Sequence, residues 1–125
     1  MAALASWHEG HEAASAAISR GVRLPAHCLL EAYSVLTRLP PPHRFEPRVA
    51  RDLLRARFQD EPLTIDGPAH RALLDRLVEA GISGGATYDA LIGTTAARHD
   101  ALLLSRDQRA ARVYEALGVR FELVG

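Results

Sequence analysis

The sequence has few of the residues that form disulfides, bind structural zinc or span a membrane. Its 125 residues include one cysteine, Cys28, which excludes an internal disulfide, and no Cys/His spacing is typical of a structural zinc site. No apolar run approaches the roughly 20 residues that span a bilayer. The first six residues lack the basic segment that opens a secretory signal. We therefore expect a cytoplasmic protein without a membrane partner.

Lysine is absent, and the net charge is zero. All fifteen basic residues are arginines, and fifteen acidic residues balance them, so net charge does not make the whole molecule a general nucleic-acid binder. The use of arginine alone is explained as readily by a GC-rich genome as by function. Five arginines lie between Arg44 and Arg57, and we interpret this stretch as a solvated helix face.

Length and composition indicate one globular domain over residues 1–125. Hydrophobic residues make up 48% and charged residues 24% of the chain, which is ordinary globular composition and is unlike that of a disordered tail. A chain of this length builds one core and is too short for two. No internal repeat, low-complexity segment or linker interrupts it.

Periodicity predicts helices that alternate with short strands. Helices are predicted over residues 8–20, 27–39, 47–59, 68–80, 86–99 and 107–117, and strands over residues 23–26, 63–66, 101–105 and 119–124. The continuous apolar run at 101–105 is typical of a parallel strand buried on both faces. This alternation implies βαβ units and a mostly parallel sheet, which is the α/β fold class.

Three acids follow predicted strands or open predicted helices: Glu31, Asp89 and Asp107. Sites in α/β sheets form beyond the carboxyl ends of the strands, so we expect these carboxylates to converge on one rim. Glu31 lies between apolar neighbours in its helix, where an acid needs a partner or a cation. Capping of their own helices explains Asp89 and Asp107 as well, and that alternative stays open.

Carboxylates forced together repel each other and keep their protons unless a cation lies among them. Oxygen ligands with few histidines favour Mg²⁺ or Mn²⁺ over zinc. We therefore predict Glu31, Asp89 and Asp107 as metal ligands and catalytic residues. Ser105 is a possible auxiliary contact to the metal shell, and Arg106 is a possible contact to phosphate.

Three other features are considered as signs of a different activity: a possible nucleophile elbow, a pair of histidines and the single cysteine. Gly81–Gly85 matches the G-x-S-x-G nucleophile elbow of hydrolases, but it follows a predicted helix where the elbow requires a strand. The histidines of His8–His11 are spaced i, i+3, whereas a zinc protease helix needs i, i+4. Cys28 is interpreted as a small buried residue. A serine hydrolase and a zinc protease are therefore not favoured.

Two segments resemble the PIN-domain toxins of the VapC family. Residues 30–38 read Leu-Glu-Ala-Tyr-Ser-Val-Leu-Thr-Arg, and residues 84–110 contain Thr-Tyr-Asp-Ala-Leu-Ile followed by Leu-Leu-Ser-Arg-Asp. The resemblance implies a PIN-like three-layer α/β/α fold and a four-acid site that binds one or two Mg²⁺ ions. It also implies endoribonuclease activity in a type II toxin–antitoxin system, with a cognate antitoxin that blocks the cleft.

One departure from the family pattern concerns the start of the chain. The family opens with a buried strand that ends in Asp-Thr/Ser-Ser, and this aspartate is a principal metal ligand. Met1–Ala5 resembles the stretch just after it, so we expect the N-terminal strand to be absent, through a start codon placed too far downstream or a real truncation. Two alternatives follow: a catalytically dead PIN module that binds antitoxin or RNA without cleavage, and a small structural α/β domain in an oligomer. We also expect a homodimer.

Overall fold

Four short strands form one parallel sheet in the computed structural model, which describes residues 2–4 and 22–124. The strands are β1 (Ala2–Leu4), β2 (Val22–Arg23), β3 (Leu102–Ser105) and β4 (Phe121–Leu123). Their order across the sheet is β2-β1-β3-β4, and every pair is parallel. The α/β class and the mostly parallel sheet predicted from the sequence are confirmed.

The expectation that the N-terminal strand is absent is wrong, because the structure has a strand at Ala2–Leu4. Ala2–Leu4 lies inside the sheet, with Ala3 opposite Arg23 on one side and opposite Leu103 on the other. Three small apolar residues are too few to show the alternation by which a strand is recognised. Their position in the sheet is set by parallel pairing with β2 and β3, which are distant from them in the sequence.

Five helices surround the sheet in the part of the chain that the structure describes. They are α1 (Ala26–Arg38), α2 (Pro47–Arg57), α3 (Gly67–Ala80), α4 (Ala86–Arg98) and α5 (Ala111–Ala116). Pro47 stands in the first turn of α2, where its missing N–H is not needed. Asp66 caps α3 by accepting a hydrogen bond from the Ala69 N–H at 2.9 Å, and Gly81 ends α3 with a φ of 68°. The helix predicted over residues 8–20 lies outside the described residues.

Three predicted elements are wrong in extent. The strand expected at 23–26 spans Val22–Arg23, and Ala26 already begins α1. The strand expected at 63–66 is reduced to a single parallel bridge between Leu63 and Pro25, because Asp66 already caps the following helix. The helix expected from residue 107 begins only at Ala111, because the side chain of Asp107 folds the preceding residues into a turn. The errors at residues 63–66 and 107–110 arise where the side chain of Asp66 or Asp107 hydrogen-bonds to the backbone and ends one element before another begins.

The core lies between the sheet and the helices packed on it. Leu103 of β3 is fully buried, and among residues 22–124 Tyr114 of α5 is the largest side chain with almost no exposure. Helix α4 packs against both β3 and α5, while α1 packs against α2. Burial of these apolar side chains is the main favourable contribution to folding. None of the helices within residues 22–124 has the length and apolar character needed to cross a membrane.

Candidate functional site

Asp89 lies in the first turn of α4, after a glycine-containing turn. Its side chain is partly buried, and burial raises the pKa of this carboxyl group above its usual range. The negative charges of Asp107 and Glu31 raise this pKa further, while His27 acts in the opposite direction. The fold therefore brings the three predicted acids close enough for their charges to interact.

Asp107 follows the carboxyl end of β3 and organises the turn after it. Its Oδ1 atom accepts hydrogen bonds from the backbone N–H groups of Arg109 at 2.9 Å and Ala110 at 3.4 Å. The Asp107 N–H in turn donates to Oγ of Ser105 at 3.0 Å. Within residues 22–124, the hydrogen bonds of the Asp107 carboxylate all use Oδ1. The capping role considered above thus occupies one carboxylate oxygen.

Glu31 differs from its predicted setting. The buried face of α1 carries Cys28, Ala32 and Leu36, whereas Glu31 is exposed and its neighbour Leu30 is 71% exposed. The reason is the 3.6-residue helical period, which places residues 28, 32 and 36 on one face, residue 31 at the edge of that face and residue 30 nearly opposite it. Glu31 is therefore an acid at the edge of the apolar face.

His27 is the partner of Glu31 and was not identified from the sequence. Its Nε2 atom lies 2.8 Å from Oε1 of Glu31, one helical turn further along α1. The signal available in the sequence was the i, i+4 spacing of a histidine and a glutamate, which is common on helix surfaces. The same imidazole stacks on Tyr88, with ring centroids 5.1 Å apart and an angle of 4° between the ring planes.

The two predicted auxiliary residues have different surroundings. Ser105 is fully buried, and its hydroxyl group is hydrogen-bonded to the Asp107 N–H and to the side chain of Tyr114. Burial raises the pKa of Tyr114, so this phenol stays protonated. Arg106 is exposed next to Asp107. Ser105 thus supports the turn that carries Asp107, and the metal-shell and phosphate contacts of Ser105 and Arg106 stay predictions.

The donor set is that of a hard cation. Glu31, Asp89 and Asp107 supply carboxylate oxygens, and the thiol of Cys28 is buried with its pKa raised mainly by that burial. A divalent cation offsets the repulsion that raises the pKa of Asp89. Over residues 2–4 and 22–124, no group of three His, Cys, Asp or Glu side chains is already close enough to hold a metal ion. The carboxylates therefore fit such an ion by chemistry, and their side chains must turn toward it.

Comparison with known proteins gives matches along almost the whole chain. A family model described as the PIN domain matches residues 1–116. The chain is 52% identical over 124 residues to proteins named ribonuclease VapC40 from two strains of Mycobacterium tuberculosis, CDC 1551 / Oshkosh and H37Rv. That alignment covers 99% of this chain and 92% of the relative.

A second relative is more distant. The chain is 42% identical over 118 residues to ribonuclease VapC27 of Mycobacterium tuberculosis H37Rv, and the alignment covers 94% of this chain and 79% of that protein. The segment that matches the PIN-domain model includes Glu31, Asp89 and Asp107.

Proposed function

Because the chain belongs to the PIN-domain family of VapC ribonucleases, we propose that it is an Mg²⁺- or Mn²⁺-dependent endoribonuclease that hydrolyses RNA phosphodiester bonds. The observation that carries this proposal is the raised pKa of Asp89, which reflects burial and the nearby charges of Asp107 and Glu31. Carboxyl groups with perturbed pKa values in a shared site are candidates for function.

Three carboxylates would hold the cation: Glu31, Asp89 and Asp107. When bound, a divalent cation promotes ionisation of a water molecule and stabilises negative charge on the leaving oxygen. In hydrolysis that water adds to phosphorus, the P–O bond to the leaving oxygen breaks, and a proton passes to that oxygen. The chain contributes a partly desolvated Asp89, an Asp107 held by its own turn, and His27 beside Glu31. Arg106 at the same rim would contact the phosphate.

The proposed biological setting is a type II toxin–antitoxin system. Support comes from the VapC relatives and from a groove of about 440 Å³ between α1 and α2. Leu29, Leu30 and Tyr33 supply its apolar part, and Arg48 and Arg55 add positive charge. This combination suits an antitoxin segment that carries both apolar and acidic side chains. The homodimer expected above is also part of this proposal.

The alternative function is a PIN module that binds antitoxin or RNA without cutting. One observation favours it: no three donors among the residues described are yet close enough to share an ion. Residues 1–21 also contain no aspartate, although the resemblance places a ligand of that type at the end of the first strand. Loss of a principal ligand weakens the hold on Mg²⁺, because this ion tolerates little departure from octahedral geometry.

The test is cleavage of end-labelled RNA in the presence of Mn²⁺ or Mg²⁺, with EDTA as the metal-free control. We expect internal cuts that EDTA abolishes and that D107A reduces by at least 10-fold, since even residues that only support metal ligands typically contribute about 10–100-fold. The matched control is D52N, because Asp52 is an exposed acid paired with Arg51 on α2. Cleavage that persists in EDTA and in D107A would contradict the proposal. An inactive protein that still binds RNA or an antitoxin would support the alternative.

A further inference from the structure

An aromatic pair adjoins the three acids. Tyr88 immediately precedes Asp89 in the first turn of α4. Its ring lies flat against His27, with centroids 5.1 Å apart and ring planes within 4° of parallel. Tyr88 is nevertheless 54% exposed. A large aromatic ring is therefore presented to solvent directly beside the carboxylates.

The imidazole of His27 is held in place behind Tyr88. Its Nε2 atom, at the ring edge, is 2.8 Å from Oε1 of Glu31, and the His27 side chain is only 28% exposed. A hydrogen bond in the ring plane leaves the ring faces free for stacking. His27 covers one face of Tyr88 and restrains its orientation, so the opposite face is available to a ligand. His27 is thus a positioning residue for Tyr88.

Tyr88 also lines an apolar groove between α3 and α4. The groove measures about 310 Å³, and four leucines make up half of its lining residues, including Leu74 and Leu91. Arg71 lies at the same groove and provides the planar guanidinium that suits a phosphate group. An aromatic ring, an apolar wall and one positive charge match a nucleotide, whose base has an apolar face and whose backbone is anionic.

We propose that Tyr88, backed by His27, positions the RNA by stacking on an unpaired nucleobase next to the scissile phosphate. This inference rests on the proposed ribonuclease function. In an A-form duplex the base faces are covered by neighbouring bases, and proteins contact the 2′-hydroxyls and phosphates. Only an unpaired base offers a face to Tyr88.

The experiment measures RNA binding by the full chain in EDTA, so that cleavage does not interfere. The probes are a 12-nucleotide single strand with one internal 2-aminopurine and the duplex formed with its complement. We expect the single strand to bind more tightly than the duplex, with the 2-aminopurine fluorescence quenched by stacking. Because stacking on an aromatic residue contributes roughly 1–3 kcal/mol per base, Y88L should weaken single-strand binding by roughly 5- to 150-fold and remove the quenching.

Two variants serve as controls. Y88F keeps the aromatic face and should bind within about twofold of wild type. V78A shortens an exposed side chain of α3 that does not line this groove and should bind as wild type does. Equal affinities of wild type and Y88L would overturn the proposal. It would also be overturned if sedimentation showed that Y88L only dissociates a dimer, since a second copy of the chain would then be the ligand of this face.

The outcomes separate this inference from the proposed function. If quenching depends on Tyr88 but Mn²⁺ produces no cuts, the platform stands and the ribonuclease proposal fails. If Y88L cleaves single-stranded RNA as fast as wild type in Mn²⁺, the ribonuclease proposal stands and the platform fails.

Discussion

The pKa of the Asp89 carboxyl group is raised by burial and by the negative charges of Asp107 and Glu31. His27 opposes all three effects. The folded state consequently binds a proton at Asp89 more readily than the unfolded chain does. As the pH rises from the ordinary value of 3.8 through the raised value in the folded state, the contribution of Asp89 to stability falls.

The loss of stability caused by ionised Asp89 leads to a prediction for D89N. In EDTA at neutral pH, the variant should melt a few degrees higher than wild type, because the disfavoured charge is gone. The gain should vanish in acid below both pKa values, where Asp89 is protonated in both states. Added Mn²⁺ should raise the melting temperature of wild type by mass action and leave D89N unchanged. Thermal unfolding across pH, with and without Mn²⁺, measures both effects.

D52N is the matched control, since Asp52 is an exposed acid outside the site. It should keep the metal-dependent rise and show no gain in EDTA. A rise of wild-type size in D89N would mean that the ion binds elsewhere.

Cys28 provides a second prediction at the scale of one residue. It is 4% exposed, and burial is the main cause of its raised pKa, with Glu31 and Asp89 adding to the effect. Because the thiolate is the reactive form, iodoacetamide should leave the folded protein unlabelled at pH 8. Complete labelling is expected only in denaturant, and mass spectrometry distinguishes the two results. Rapid labelling in native buffer would contradict the packing of α1.

At the scale of elements, α4 and α5 approach each other at Gly93. A Cβ atom there would lie 3.0 Å from Cδ1 of Tyr114 and 3.2 Å from Cγ2 of Val119. Tyr114 is buried and hydrogen-bonded to Ser105, so it has little room to move. Close packing at this position therefore supports the turn that carries Asp107.

We predict that G93A destabilises the protein by about 1–3 kcal/mol, the usual cost of overpacking. The matched control is G85A at the start of α4, where φ is −61° and ψ is −27° and an added Cβ meets nothing within 4 Å. That change should stabilise the fold by about 0.4–1 kcal/mol, because it restricts the unfolded chain. Urea unfolding of both variants measures the difference. Destabilisation of equal size in the two would show that the contact with Tyr114 does not decide the result.

At the scale of the whole molecule, the sheet depends on a three-residue strand near the N-terminus, β1. β1 joins β2 to β3, and both neighbours are distant from it in the sequence. Proline lacks the N–H group that a ladder needs and is found in sheets mainly at edges and bulges. A3P should therefore abolish cooperative unfolding, as followed by circular dichroism.

The comparison for A3P is L123P in β4, which stands at the end of the strand order among the residues that the structure describes. It should cause the smaller loss of stability. Cooperative melting of A3P at the wild-type temperature would mean that β1 does not join the two halves of the sheet.

The sequence alone determined most of the helix positions, one strand and the family, because each of these depends on residues that are close together in the chain. Helical periodicity and prolines placed α1 to α4 within one or two residues, and the apolar run at 101–105 identified β3. Glu31, Asp89 and Asp107 were predicted as site residues because each lies near the end of a strand or the start of a helix, and their roles as ligands stay predictions. The resemblance to PIN-domain toxins rested on two contiguous segments, and the comparisons confirm that family.

Only the tertiary structure showed the position of β1, the stack of His27 on Tyr88 and the raised pKa of Asp89, because each depends on contacts between distant segments. Three residues at 2–4 carry no period of their own, so only pairing with β2 and β3 gives them the centre of the sheet. The stack of His27 on Tyr88 joins α1 to α4, which no spacing within either helix reveals. The raised pKa of Asp89 likewise depends on charges from two other elements. Local propensity acts over a few residues, whereas ladders, stacking and charge interactions act through space, and only the folded chain brings their partners together.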